Sequence, residues 1–199
     1  MSVTDETKTR ALSSEEIAAL ESQGCAATDW SAVKARDGFD PSKLRRVAFA
    51  GPAEIGKLEG NVDVDGVALP SAVVDATLSN VVVGDNARIA NVSGVLANYR
   101  IEAGAVVTNV GTMTVSPGAT FGNGVEVEAV NEGGGREVKI FNSLSSQFAY
   151  LAALHSYRDK VLAKLNEIAD AETAAVKSDI GVVGEKACVQ NVPEIHNVA

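Results

Sequence analysis

An asparagine motif recurs along this chain and constrains its fold more than any other feature. It reads aliphatic residue, any residue, asparagine, then valine or tyrosine. The copies occupy residues 78–81, 89–92, 96–99, 107–110, 189–192 and 195–198. Asn80 and Asn98 are 18 residues apart, and so are Asn91 and Asn109. Because 18 residues are three hexapeptides, this spacing predicts the coils of a hexapeptide-repeat parallel β-helix.

Equivalent positions of successive copies carry the side chains that a stacked β structure needs. Val83 precedes Ile101 by 18 residues, and Ile89 precedes Val107 by 18, so these aliphatic side chains would pack inward one above the other. Asparagine tolerates the left-handed backbone that tight corners need, and stacked amides could form a ladder. We therefore predict a mainly β protein with a β-helix over residues 55–141.

The segments around this region have other patterns. We predict a disordered tail at residues 1–12 and a helical cap at 13–54, which starts with a capping box between Ser13 and Glu16. Asp29 and Asp40 are predicted to start short helical turns, and residues 47–50 the first strand. Residues 142–177 have a 3.6-residue period, which predicts an inserted long helix or a helical hairpin broken near 156–159.

The β pattern returns after this insertion, over residues 178–199. Residues 182–192 repeat the pattern of residues 82–92 at an offset of 100. The last asparagine motif reaches Val198, so we expect an incomplete final coil and a longer protein that continues it.

Charge and cysteine usage narrow the classes of partner. The chain has 17 Lys and Arg against 26 Asp and Glu, a net charge of −9, which disfavours nucleic acid and anionic membrane surfaces as partners. The polar N-terminus lacks a signal-peptide pattern. Cys25 and Cys188 have no partner pattern, so we expect free thiols in the cytoplasm, no metal site and no bound cofactor.

Stretches spread over nearly the whole chain resemble one protein family. They are residues 10–17, 29–30, 38–41, 47–51, 89–92, 121–127, 131–138 and 147–151. The chain resembles the N-terminal part of a long, uncharacterised bacterial family, a domain of unknown function in the hexapeptide-repeat, trimeric acetyltransferase-like superfamily. The resemblance implies a left-handed β-helix with an inserted helix, in a protein of several hundred residues, and it implies no established activity.

The best candidate ligand site is a polar, glycine-rich segment formed by Asn131, Glu132, Arg136 and Glu137. An Arg fork could hold a carboxylate or a phosphate, and the intervening glycine amides could help. Alternatively, the segment is a turn in which Arg136 pairs with Glu132 or Glu137. Tyr99 departs from the Asn-Val pattern, so it is either a binding platform or a side chain that covers a gap.

Three functions remain open, and the sequence does not decide whether the protein is an enzyme. The first is a structural β-helix module that scaffolds and homo-oligomerises a larger protein. The second is part of a transferase that uses an acyl or sugar-nucleotide donor, with its active site between subunits or downstream. The third is a carbohydrate- or metabolite-binding module. His155 and His196 are expected in packing or surface roles, which weakens the transferase hypothesis.

Overall fold

The structure, a computed structural model, describes residues 9–130 and 132–199. These residues divide into two compact units. The first unit contains the residues up to Ser116 together with Ile180–Asn197, and the second contains Pro117–Asp179. The predicted tail at residues 1–12 lies mostly outside the described residues, and Thr9–Ala11 form a strand.

The described elements alternate short strands with a few helices. Short 3-10 turns occur at Trp30–Ala32 and Pro41–Lys43. The helices are α1 (Ser14–Ser22), α2 (Ser146–Leu154) and α3 (Asp159–Val176). The strands are β1 (Thr9–Ala11), β2 (Ala26–Ala27), β3 (Val33–Arg36), β4 (Leu44–Phe49), β5 (Ala53–Ile55), β6 (Asn61–Val64), β7 (Val67–Pro70), β8 (Ala72–Val83), β9 (Arg88–Val92), β10 (Leu96–Ile101), β11 (Val106–Thr114), β12 (Glu126–Glu128), β13 (Glu137–Lys139), β14 (Gly181–Val183) and β15 (Cys188–His196).

Four parallel strands close into a ring, a small parallel barrel, in the first unit. Strand β8 pairs with β9, β9 with β11, β11 with β10, and β10 returns to pair with β8. Ile101 lies opposite Val83, and Val107 lies opposite Ile89, as their 18-residue spacing predicts. All four side chains are buried. The ring's aliphatic core therefore follows directly from the periodic positions.

The prediction of a left-handed β-helix built from hexapeptide repeats is wrong, although the chain is mainly β. The 18-residue offset holds for two strand pairs, but β8 pairs with β9 at an offset of 16 (Ala72 opposite Arg88) and β10 with β11 at 17 (Leu96 opposite Met113). Antiparallel β1 joins the main sheet through β3, and the pairs β6 with β7 and β12 with β13 form two further sheets. A local period specifies which residues pair, but not how the strands close or with which hand, so it could not establish a solenoid.

The motif asparagines all have the left-handed backbone conformation predicted for them. Their φ angles lie between 53° and 61°. Asparagine reaches this region at a lower cost than most residues because its short polar side chain bonds locally. The asparagines bend the strands, so that the long strand β8 contributes to more than one pairing. These six residues are Asn80, Asn91, Asn98, Asn109, Asn191 and Asn197.

The N-terminal elements follow their capping signals. Helix α1 begins with the predicted capping box, in which Ser13 and Glu16 each bond the other's backbone amide. Asp29 and Asp40 cap the two 3-10 turns. The first strand is β1 rather than residues 47–50, and the short strands β2 and β3 lie in the region predicted to be a helical cap. Antiparallel β1 lies at one end of the sheet, opposite the end that carries β14.

The second unit packs two helices on an antiparallel hairpin. Residues 142–177, which have the 3.6-residue period, contain two helices, α2 and α3, and the break between them is in the predicted place. Val138 of β13 is buried against Ala152 and Ala153 of α2, and Leu162 and Leu165 of α3 pack on this cluster. No helix in the described part of the chain is both long enough and apolar enough to cross a membrane.

Candidate functional site

The predicted ligand segment lies in the connection of the β12–β13 hairpin. Asn131 is outside the described residues, while Glu132 and Arg136 are exposed. The amide of Gly135 donates to Glu137 Oε1 at 2.7 Å. This bond, reinforced by the backbone amide of Glu137 itself, lowers the pKa of the Glu137 carboxyl. The Glu137 carboxylate is therefore held by backbone amides at the C-terminal end of the hairpin loop.

Arg136 has an exposed guanidinium in this segment. Within residues 9–130 and 132–199 it forms no ion pair, so neither Glu132 nor Glu137 neutralises it there. A guanidinium on an exposed loop can accept a carboxylate or a phosphate. The anion site at Arg136 stays a prediction.

Tyr99 is not a binding platform, because only 1% of it is exposed. It lies in β10, opposite Val81 on one side and Gly181 on the other. The structure thus places Tyr99 in the core of the first unit, whereas Glu132, Arg136 and Glu137 belong to the second. The reading of Tyr99 as a side chain that fills a gap is the one that its burial supports.

The two histidines have hydroxyl partners. His196 Nδ1 lies 3.0 Å from Thr114 Oγ1, and its Nε2 lies 3.2 Å from Ser116 Oγ. These contacts tie the end of β15 to the end of β11. His155 follows α2, and its Nδ1 lies 3.3 Å from the hydroxyl of Tyr157. His196 is exposed, and His155 is partly buried at the end of α2.

Sequence reasoning missed an exposed aromatic group at the junction of α2 and α3. Tyr150 and Tyr157 lie on either side of His155, with ring centroids 5.8 Å from it in each case. More than half of each tyrosine is exposed, and Arg158 lies over the Tyr157 ring. The available signal was the close spacing of these residues at the predicted helix break.

The strongest candidate site is at one end of the first unit, where β14 pairs with β10 and β15 pairs with β11. We call β14 and β15 together the last layer of this unit. Val189, Val192 and Ile195 of β15 lie opposite Val107, Val110 and Met113 of β11, respectively. The β11 side chains are buried, whereas the β15 side chains directly beyond them are only half-buried. The apolar core of the barrel therefore extends to β15, where its side chains are partly exposed to solvent.

The backbone of β15 is also open along one side. Within the described residues β15 pairs with β11 alone. A strand of nine residues with one paired side presents a row of unpaired amides and carbonyls, which is a template for another strand. The β6–β7 hairpin holds β15 from the side, because Gln190 Nε2 donates to Asp65 Oδ2 at 2.9 Å.

Two amide ladders run toward this end, and their hydrogen bonds share one direction. In one ladder Asn80 Nδ2 donates to Asn98 Oδ1 at 2.9 Å, and Asn98 Nδ2 donates to the carbonyl of Val115 at 2.7 Å. In the other, Asn109 Nδ2 donates to Asn191 Oδ1 at 2.6 Å. Asn91 is in register with Asn109, but no side-chain hydrogen bond joins this described pair.

Both ladders finish on a donor. Asn191 accepts through Oδ1, and Asn197 Oδ1 accepts from the amide of Ser116 at 2.7 Å. Neither Nδ2 group has an acceptor in the part of the chain that the structure describes. A groove of about 710 Å³ follows the ladder, with Asn91, Asn109 and Asn191 in its wall. The last layer thus combines apolar side chains, open backbone groups and outward-facing amide donors.

Comparison with known proteins adds a family without an assigned activity. A family model described as a domain of unknown function, DUF4954, matches residues 9–199. An uncharacterized protein of Treponema pallidum (strain Nichols) is 26% identical over 201 residues, which cover 95% of this chain and 28% of that protein. No solved structure matches. These comparisons support an uncharacterised family, but they give no support for membership of the hexapeptide-repeat superfamily.

Proposed function

The chain belongs to the DUF4954 family, a domain of unknown function, and we propose that residues 9–199 are a structural module whose last layer receives a further β-strand. The observation that carries this proposal is the half-exposed column of Val189, Val192 and Ile195 above buried partners in β11. A strand laid on β15 would cover these side chains and pair its open backbone groups.

The energies favour such an addition. Fully burying an aliphatic side chain contributes roughly 1.5–3 kcal/mol, and the three side chains are already half-buried, so covering them contributes on the order of 2–4 kcal/mol in total. Paired backbone groups add to this gain, while ordering the new strand opposes it. Pro193 has no amide hydrogen, so we expect pairing on both sides of Pro193 but no donor at it.

Self-association is a second route by which the module could organise a larger protein. Leu151, Leu154, Val161 and Ile168 of α2 and α3 are exposed, each by at least 38%. Exposed aliphatic side chains on neighbouring helices favour an oligomer. Sedimentation of the full-length protein, with and without Ile168→Glu, tests this route: a wild-type monomer would contradict it.

Hydrogen exchange tests the strand-receiving role. The measurement compares the amides of β15 in the 199-residue chain and in the full-length protein. If a strand covers β15, the exchange rate of the β15 amides should be at least about tenfold lower in the full-length protein. Each further 1.4 kcal/mol of protection lowers the exchange rate by about a factor of ten. The amides of β11 serve as the control and should be equally protected in both. Equal exchange of β15 in the two proteins would overturn the proposal.

A further inference from the structure

We propose that the groove beside the asparagine ladder of the first unit binds a neutral, hydroxyl-rich ligand of the oligosaccharide class. Its volume of about 710 Å³ lies within the roughly 300–1,000 Å³ of ligand pockets. All of the residues that line it belong to the first unit. The inference does not rest on the strand-receiving role, because these residues form the groove without an added strand.

The polar wall of the groove is a column of four side chains at one corner of the barrel. The same position in β8, β9, β11 and β15 is occupied by Asp75, Asn91, Asn109 and Asn191. Their φ angles lie between 53° and 57°. Neighbouring strands are about 4.7–4.9 Å apart, so the column presents one polar group at each such step. The shared left-handed backbone holds these groups at fixed positions along the groove.

The amides of this column leave both donors and acceptors open to a ligand. Asn109 Nδ2 donates to Asn191 Oδ1 at 2.6 Å, which leaves Asn109 Oδ1 and Asn191 Nδ2 without a partner among the described residues. The side chains of Asn91 and Ser93 form no hydrogen bond within the same part of the chain. A hydroxyl group both donates and accepts, so a ligand with many hydroxyls can pair with all of these groups.

The rest of the lining suits the carbon side of a sugar ring. Gly111 lies opposite Pro193, and a Cβ atom on Gly111 would overlap the carbonyl oxygen of Pro193. Glycine is therefore required there, and this part of the wall has no side chain. The apolar lining is formed by Val92, Val110 and Val192. Because a sugar carries C–H groups and hydroxyls on one ring, it contacts apolar and polar lining together.

The charge of the groove favours a neutral ligand. Asp75 is the charged residue among the described lining residues, and Arg46 of β4 donates to its carboxylate at 2.6 Å. The carboxylate is therefore already balanced. Among the described residues no lysine or arginine lines the groove to hold a phosphate, and the net charge of −9 repels anions.

The spacing of the column favours a saccharide over an extended peptide. A strand repeats the groups on one of its sides every two residues, which is about 6.6–6.8 Å, whereas the column repeats about every 4.8 Å. A peptide that lay along the column would therefore lose its register within two steps. A sugar ring carries hydroxyls on most of its carbon atoms, so one hydroxyl lies within reach of each amide.

Nuclear magnetic resonance titration of the ¹⁵N-labelled 199-residue chain tests the groove. The probes are neutral hexasaccharides of glucose, mannose and N-acetylglucosamine, each added to about 10 mM. We expect at least one of them to shift the side-chain amide signals of Asn91, Asn109 and Asn191 together, with a dissociation constant of about 1 mM or below. If no probe shifts these three signals, the proposal is overturned.

Asn91→Gly removes the unengaged amide and keeps the left-handed backbone, which glycine adopts readily. It should raise the dissociation constant about tenfold or more, because the ligand loses up to two hydrogen bonds. Asn80→Gly is the matched control, since it makes the same change at a left-handed position outside the groove. Its effect should be less than about twofold.

Asn91→Asp is a second variant that does not depend on glycine. Aspartate tolerates the same backbone and keeps an acceptor, but it has no Nδ2 donor. It should raise the dissociation constant about threefold or more. The backbone amide spectrum of each variant shows whether it is folded.

Three other results would contradict the proposal. Equal dissociation constants for the wild type and for both Asn91 variants would place the saccharide elsewhere. Tighter binding of a sulfated hexasaccharide than of its neutral counterpart would make the groove an anion site. Tighter binding of a neutral serine–glycine peptide would make it a peptide site.

Discussion

Tyr99 fills the space that the missing side chain of Gly181 leaves. A Cβ atom on Gly181 would lie 2.4 Å from Cε1 of Tyr99 and 2.8 Å from Cγ2 of Val115. The two residues are directly opposite each other where β10 pairs with β14. Glycine is therefore required at position 181 by lack of space, since the tyrosine ring is buried.

Gly181→Ala should destabilise the 199-residue chain by about 1–3 kcal/mol, because the added methyl group forces the tyrosine ring or β14 to move. Urea unfolding monitored by circular dichroism gives the change in free energy. Gly184→Ala is the matched control, since a Cβ there meets no atom within 4 Å. Equal losses in the two variants would contradict the packing described here.

Replacing an isoleucine by alanine should lower the free energy of unfolding more in the barrel than in β15. Ile89 is fully buried, so Ile89→Ala should lower stability by about 2–5 kcal/mol. Ile195 in β15 is half-buried, so Ile195→Ala should cost less than about half of that in the 199-residue chain. Thermal and urea unfolding of both variants check the ratio, and an equal cost would show that β15 is already covered in this chain.

Acid should weaken the N-terminal helix through Glu16. Arg10 donates to both Glu16 carboxylate oxygens, at 2.7 and 2.8 Å, and chiefly for this reason the pKa of Glu16 falls from 4.5 to about 2. Because the folded pKa lies below the unfolded one, the stabilisation is complete above pH 4.5 and is lost as the pH falls toward 2.

Glu16→Gln should therefore flatten the loss of stability over this window, measured as the unfolding midpoint at each pH. Glu15→Gln on the same helix turn is the control and should leave the slope unchanged. If the unfolding midpoint of the wild type does not decrease as the pH is lowered from 4.5 to 2, the assignment to Glu16 is wrong.

The two cysteines should react at very different rates with a thiol reagent. Cys25 is buried, and burial raises the pKa of its thiol, whereas Cys188 is exposed. Since the thiolate is the reactive species, one equivalent should react fast and the second only in denaturant. Cys188→Ser should abolish the fast phase, and two equal rates in the native wild type would conflict with the buried position of Cys25.

The asparagine positions show how much of the fold can be predicted from local backbone preference. All six motif asparagines have a left-handed backbone, and Asn80 donates to Asn98 at the expected 18-residue spacing. Both results follow from properties that a short sequence contains, namely the conformational range of asparagine and the spacing of its neighbours. The capping box at Ser13 was predictable for the same reason.

The candidate sites were less accessible to sequence reasoning. Tyr99 departs from the Asn-Val pattern and so allowed two interpretations, because its surroundings depend on Gly181, which lies 82 residues later in the chain. The exposure of Tyr150 and Tyr157 depends on where two helices break and pack. Such contacts join distant segments, so no window of the sequence contains them.

The sequence by itself determined a mainly β chain, the register of two parallel strand pairs, the left-handed corners and the helix caps. These features depend on local backbone preference and on repeated aliphatic positions. Only the tertiary structure decided that the strands close into a ring of four, with offsets of 16 and 17 beside the expected 18. It also decided that both amide ladders end on donors, Asn191 in β15 and Asn197 directly after it. Closure and ladder direction depend on pairings between distant strands, which a repeat period does not encode.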